Sequence, residues 1–153
     1  MARIRYIQFV FLLMACTSLH AQPTVIRPQI QPIVDSIAKQ KTLITQNLRC
    51  SSTNGKAQNW FSCLFNEADI DELEILASHN NPIVRCYAFT VLVKRKSPSA
   101  YSVLLKHLKD ADPIHVFDYD IGYDENVGEY LKHTFSANEK QRRVIDSLLK
   151  TQK

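Results

Sequence analysis

The chain has 153 residues, 45% of them hydrophobic and 22% charged, with 19 Lys and Arg against 15 Asp and Glu. That is ordinary globular material, long enough for one core. The net charge of +4, which falls to +2 without residues 1–21, is then too small to argue for nucleic acid, and only 3 glycines with little apolar/polar alternation argue against a β fold. The expected fold class is all-α: a signal peptide at 1–21, an extended lead-in at 22–29, and one compact domain of about six helices over 30–151.

Arg3 and Arg5 form a positive n-region, Tyr6 to Met14 an apolar h-region, and Ala15 to Ala21 a small-residue stretch ending Leu-His-Ala before Gln22. This predicts export to a periplasmic or secreted location, since the apolar run is too short for a permanent span. Cleavage after Ala21 gives a protein starting at Gln22 and lowers the net charge to +2. The rival reading takes Leu13-Met14-Ala15-Cys16 as resembling a lipobox, with Met14 a poor fit, and makes Cys16 a lipid anchor.

An exported chain can keep disulfides, so the remaining Cys50, Cys63 and Cys86 matter. A Cys50–Cys63 bridge closes the polar loop Ser51 to Asn59 and is the disulfide candidate; loop entropy gives such a bridge about 3 kcal/mol. Cys63–Cys86 is the rival pairing. Cys86 itself reads as a small buried hydrophobe.

Gln22 to Gln29 holds two prolines and reads as extended. Pro28 and Pro32 allow a helix to start, after which Ile30, Ile33, Val34, Ile37, Ile44 and Leu48 line one stripe. Ser51-Ser52-Thr53-Asn54-Gly55 is a turn cluster, followed by a short aromatic helix with Trp60, Phe61, Leu64 and Phe65, read as core. Glu67, Asp69, Asp71, Glu72 and Glu74 crowd the next helix start, where carboxylates meet unpaired N–H groups, while Ile70, Leu73, Leu76 and Ala77 form its buried side.

The centre of the chain is Asn81 to Phe89. Asn81 and Pro82 supply an N-cap and a first-turn proline. Ile83, Val84, Tyr87, Ala88, Val91 and Leu92, with Cys86, Phe89 and Val93 on the other side, make a helix that must be covered nearly all round. Lys94-Arg95-Lys96 suits its C-terminus. Ser97-Pro98 repeats the start signal, and Tyr101, Leu104, Leu105 and Leu108 give a second helix with one wet face.

These residues resemble the HEAT family of helical repeats. Asn80-Asn81-Pro82-Ile83-Val84-Arg85 matches the turn and Val-Arg pair, Tyr87 to Leu92 the small-residue-rich helix, and Leu104 to Asp110 the Leu-rich helix with its Lys-Asp turn. The resemblance covers one unit, about residues 68–109, and the flanking segments do not repeat it. It implies a helical-hairpin architecture and a structural role for Arg85, its stem packed between helices and its guanidinium on a carboxylate.

Asp110 to Tyr123 breaks the helical pattern and reads as a loop, the first choice for a contact surface. Its binding candidates are Asp118, Asp120, Tyr123 and Asp124. Asp118, Asp120, Asp124 and Glu129 also fall at positions one, three, seven and twelve of an EF-hand-like count, with Asn126 at nine. Gly122 and Tyr123 fall at five and six and spoil that calcium candidate. Asp124 can cap a helix carrying Val127, Tyr130, Leu131 and Phe135. Ser136-Ala137-Asn138-Glu139 reads as a capping box before a final helix with Val144, Ile145, Leu148 and Leu149.

No phosphate-cradling glycine loop, Gly-x-Ser-x-Gly elbow, His-Glu-x-x-His or paired-cysteine metal motif occurs in the sequence. His79, His107, His115 and His133 are scattered and read as surface or satisfied histidines. No cofactor is expected. The reading is a non-catalytic protein-binding or scaffold module of the cell envelope, its partner another envelope protein. The alternative is a small exported hydrolase using His115 or His133 with a nearby Asp.

Overall fold

The structure, a computed structural model, describes residues 25–45 and 60–150. The signal peptide, both cleavage readings, the anchor at Cys16, Cys50 and the Ser51–Gly55 cluster lie outside the described residues. In chain order the elements are α1 (Gln31–Ala38), β1 (Thr42–Ile44), α2 (Trp60–Glu67), α3 (Ile70–Leu76), α4 (Pro82–Lys94), α5 (Ser99–His107), β2 (Pro113–Asp118), β3 (Ile121–Asn126), α6 (Val127–Thr134) and α7 (Glu139–Lys150). Helix accounts for 58% and strand for 13%, so the fold is α/β and the all-α expectation of about six helices is overturned.

Helix α4 is the centre. The Asn81 side-chain oxygen accepts from the N–H groups of Ile83 (2.9 Å) and Val84 (3.2 Å), satisfying two otherwise unpaired donors. Ile83, Val84, Cys86, Tyr87, Ala88, Phe89, Val91 and Leu92 are all buried. A helix apolar on every side is stable only when wrapped, and α1, α2, α3, α5, α6, β1 and β2 all pack on α4. It ends in a Schellman motif: Ser97 N–H donates to Leu92 O and Lys96 N–H to Val93 O, with Lys96 at φ 55°.

Two stretches expected to be helix or loop supply the sheet. Ile30, Ile33, Val34 and Ile37 are buried as the stripe required, but α1 stops at Ala38 and Ile44 belongs to β1. Thr42 and Ile44 are β-branched, and a distant strand provides the ladder that a local pattern does not show. The expected loop 110–123 contains β2 and the turn into β3. Within β2, Ile114 and Val116 point inward while His115 and Phe117 point out.

The sheet has order β1-β2-β3. Strand β1 runs parallel to β2 (Thr42↔His115, Leu43↔Val116, Ile44↔Phe117), and β3 runs antiparallel to it (His115↔Asp124, Val116↔Tyr123, Phe117↔Gly122, Asp118↔Ile121). Leu43, Ile114 and Val116 are buried on the face toward the helices. The opposite face carries two in-register rows: Thr42, His115, Asp124 and Ile44, Phe117, Gly122.

Smaller ties complete the domain. The Glu72 carboxylate accepts from Arg27 Nε (2.9 Å), Nη2 (2.7 Å) and backbone N–H (2.8 Å), and also forms a capping box with Asp69, joining the lead-in to α3. Asn126, rather than Asp124, caps α6 by accepting from Glu129 N–H. Before α7 the reciprocal box is Asn138 with Gln141, not Ser136 with Glu139. Only Ile145 of α7 is buried.

Candidate functional site: the acidic hairpin edge

The direction of the β3 backbone follows from one hydrogen bond. Thr45 N–H donates to Phe117 O (3.2 Å), so the polar groups of Phe117 face β1. Alternation then turns those of Ile114, Val116 and Asp118 toward β3, and they meet Glu125, Tyr123 and Ile121 as hydrogen-bonded pairs. The N–H and C=O groups of Gly122 and Asp124 therefore point away from the sheet. Among the described residues strand β3 is an edge, and residues 121–124 are exposed.

Chemistry concentrates on this edge. From Pro113 to Asn126 there are four carboxylates, Asp118, Asp120, Asp124 and Glu125, and no Lys or Arg. Interleaved with them are Tyr119, Ile121 and Tyr123, exposed by 77%, 64% and 39%. The turn that presents them holds Tyr119 at φ 55°, a left-handed conformation uncommon for a bulky residue. Burial, with Glu125 and Asp118 nearby, pushes the Tyr123 hydroxyl above its ordinary value.

On the open face, His115 Nδ1 lies 2.7 Å from Asp124 Oδ1. The same ring leans over Gly122, where an added β-carbon would be 3.1 Å from His115 Nε2 and 3.6 Å from Phe117 Cδ2. Glycine thus leaves a slot beside two rings. On the inner face, Glu125 Oε2 is 3.3 Å from His133 Nε2, and its side chain is only 7% exposed. Burial raises the Glu125 carboxyl above the usual range, with His133 acting in the opposite direction.

Near the hairpin tip a cleft of about 270 Å³ opens between the sheet, α2, α4 and α6, lined among others by Thr45, Phe61, Tyr87, Asp118, Tyr123, Tyr130 and His133. The Tyr87 hydroxyl bonds to Ile44 N–H and O (3.3 Å each), and Tyr130 to Thr90 Oγ1 (2.9 Å). These phenols are committed to holding the sheet and α6 on α4.

Of the four binding candidates, Asp118 and Tyr123 lie on the cleft, Asp120 sits in the exposed turn, and Asp124 is on the opposite face against His115. The calcium set does not converge. The strand period separates Asp118 from Asp124, Asp118 accepts from the Thr45 hydroxyl, and Glu129 belongs to the first turn of α6. No group of three or more potential metal ligands occurs among the described residues.

Arg85 is buried, with Nη1 donating to the carbonyls of His79 (2.8 Å) and Asn80 (3.1 Å) and Nη2 to Asp112 (2.5 Å). Its Nε lies 3.0 Å from Asp110 Oδ2, an ion-pair distance, though its N–H is not directed at that oxygen. Cys86 is a buried free thiol, so the Cys63–Cys86 bridge is not formed, and burial drives its ionisation far upward. Of the histidines, His107 and His79 serve the Arg85 turn through Asp110 and Asn81.

The reading from sequence placed Ile121 and Gly122 inside the 110–123 contact stretch without singling them out, and it left out Glu125. The alternation Ile114-His115-Val116-Phe117 was the available signal for a strand there. Comparison with protein-family models, curated proteins and solved structures finds no match. No helix among the described residues is long and apolar enough to cross a membrane.

Proposed function

We propose that this domain is a binding module that takes up an extended, basic segment of a partner protein as a fourth strand on the outer edge of β3, within the cell envelope. The observation that carries this is the edge itself: outward backbone groups at Gly122 and Asp124, exposed Tyr119 and Ile121, and exposed Asp120 and Asp124 in a hairpin without a Lys or Arg. Main-chain hydrogen bonds supply affinity in such docking, and charge selects the partner. Two copies pairing edge to edge would bring the exposed Asp120 and Asp124 of each together, so the arrangement disfavours self-association. The HEAT-like pair α4 and α5 serves on this reading as rigid backing for the sheet.

Gly122→Pro tests it. Proline removes an N–H that the sheet does not use and is tolerated on an edge strand, so the fold survives while the outer ladder is blocked. With a photo-crosslinking residue at position 121, the unsubstituted edge is expected to crosslink to one Lys- or Arg-bearing segment of an envelope protein, and Gly122→Pro to lose that product. A crosslink unaffected by Gly122→Pro, in a variant whose circular dichroism is unchanged, refutes the edge as the site.

The His115–Asp124 pair gives the hydrolase reading its one supporting observation. The pair is open to solvent, its side chains 46% and 84% exposed. An esterase assay in which His115→Ala and His133→Ala abolish a measured turnover would revive it.

A further inference from the structure

We infer that the β3 edge selects a partner segment in which an aromatic residue and a Lys or Arg stand two positions apart, the aromatic ring lying over Gly122 and the cation beside Asp124. This rests on the strand-addition reading above and specifies the chemistry of its ligand.

The argument begins with the faces of the added strand. Gly122 and Asp124 turn their backbone groups outward, so an incoming strand in either direction places two residues, spaced by two, opposite them on the open face of the sheet. Opposing side chains on a shared face have β-carbons about 5 Å apart, close enough for each pair to select its mate.

Opposite Gly122 the platform has no side chain of its own. It is bounded by the rings of His115 and Phe117, the nearest atoms 3.1 and 3.6 Å from where a β-carbon would stand. Phe117, 40% exposed, and Ile44, 41% exposed, continue this row across the sheet. An aromatic side chain reaching across from the added strand fills the gap above glycine and covers Phe117. A small or charged residue leaves that surface wet.

Opposite Asp124 the demand is reversed. This carboxylate is 84% exposed and uses Oδ1 on His115, so a cation on the added strand can reach it from solvent. Asp120, exposed in the turn, adds the same sign at the hairpin tip, so an acidic residue is repelled and a lysine or arginine is attracted.

The test is a panel of short Thr-rich peptides against the full chain, read by amide shifts at Gly122 and Asp124 and by titration. One peptide carries Phe two positions from Lys, and counterparts replace Phe by Ala or Lys by Glu. The expected result is about fivefold tighter binding of the Phe/Lys peptide than of either counterpart. Gly122→Val should erase the preference for Phe while retaining the preference for Lys. Equal binding of the Phe and Ala peptides, with shifts still centred on Gly122 and Asp124, overturns this inference and leaves strand addition standing. Absence of shifts at those amides with every peptide, up to about 1 mM, overturns both.

Discussion

Replacement of Gly128 by alanine isolates a close approach of α6 to the end of α5. Gly128 lies in the first turn of α6, where it meets the end of α5, and its N–H donates to Asp110 O (2.9 Å). A β-carbon there would stand 2.5 Å from Leu108 O, 3.0 Å from Leu108 C and 3.1 Å from His107 O. All three atoms are backbone, so no rotamer change relieves the overlap and α6 must move away from α5. Overpacking of this kind costs about 3 kcal/mol, and the better helix propensity of alanine returns about 1 kcal/mol. The net expectation is a loss of about 2 kcal/mol, equivalent to a melting temperature about 6 °C lower. Urea and thermal melts followed by far-UV circular dichroism measure it. Gly122→Ala is the internal control: its β-carbon meets the His115 side chain, which can rotate, so a change below about 0.5 kcal/mol is expected. A Gly128→Ala variant as stable as the parent would refute the claim that glycine is required by contact with α5.

Two further outcomes follow from the ties around the core. The Glu72 carboxyl is held at about 2, chiefly by its hydrogen bonds from Arg27, with Asp69 N–H and Arg27 N–H adding to them against the opposing effect of burial. Because the folded value lies below the ordinary 4.5, this stabilisation is present above that pH and is lost as pH falls toward 2. Allowing for the solvent around Arg27, the gap between parent and Glu72→Gln should be about 1–2 kcal/mol at pH 7 and close at pH 2, read from urea melts. Lys96 occupies the left-handed position of the Schellman motif after α4, where glycine is unstrained. Lys96→Gly should therefore raise stability by about 0.5 kcal/mol, and a fall in the urea midpoint would contradict that account.

The helical part of the fold was legible because its signals are local. Asn81-Pro82 announces α4, the unbroken apolar surface from Ile83 to Leu92 announces a wrapped helix, and the acids at 69–74 announce α3. The sheet was not legible because its evidence is divided. Thr42–Ile44 is too short to display a period, and β3 is exposed on both faces at residues 121–124, so it lacks the inside/outside contrast that marks a strand. Only β2 alternates, and its neighbours made it look like loop. The hairpin was singled out from sequence for its acids and Tyr123. What composition could not convey was which backbone groups face outward, since that depends on where Thr45 bonds.

The pairing of β1 with β2 also imposes an order on the life of the chain. Thr45 and Phe117 are 72 residues apart, and closing a loop of that length costs about 4 kcal/mol of entropy, whereas the β2–β3 turn and the α3–α4 contact close almost at once. Assembly is therefore expected to run from these nearby pieces inward, with the first strand zipping on last. Any chain delivered amino end first must carry that strand without a mate until Asp118 has emerged, and during that interval it depends on its short length, three residues, to avoid sticking to its neighbours.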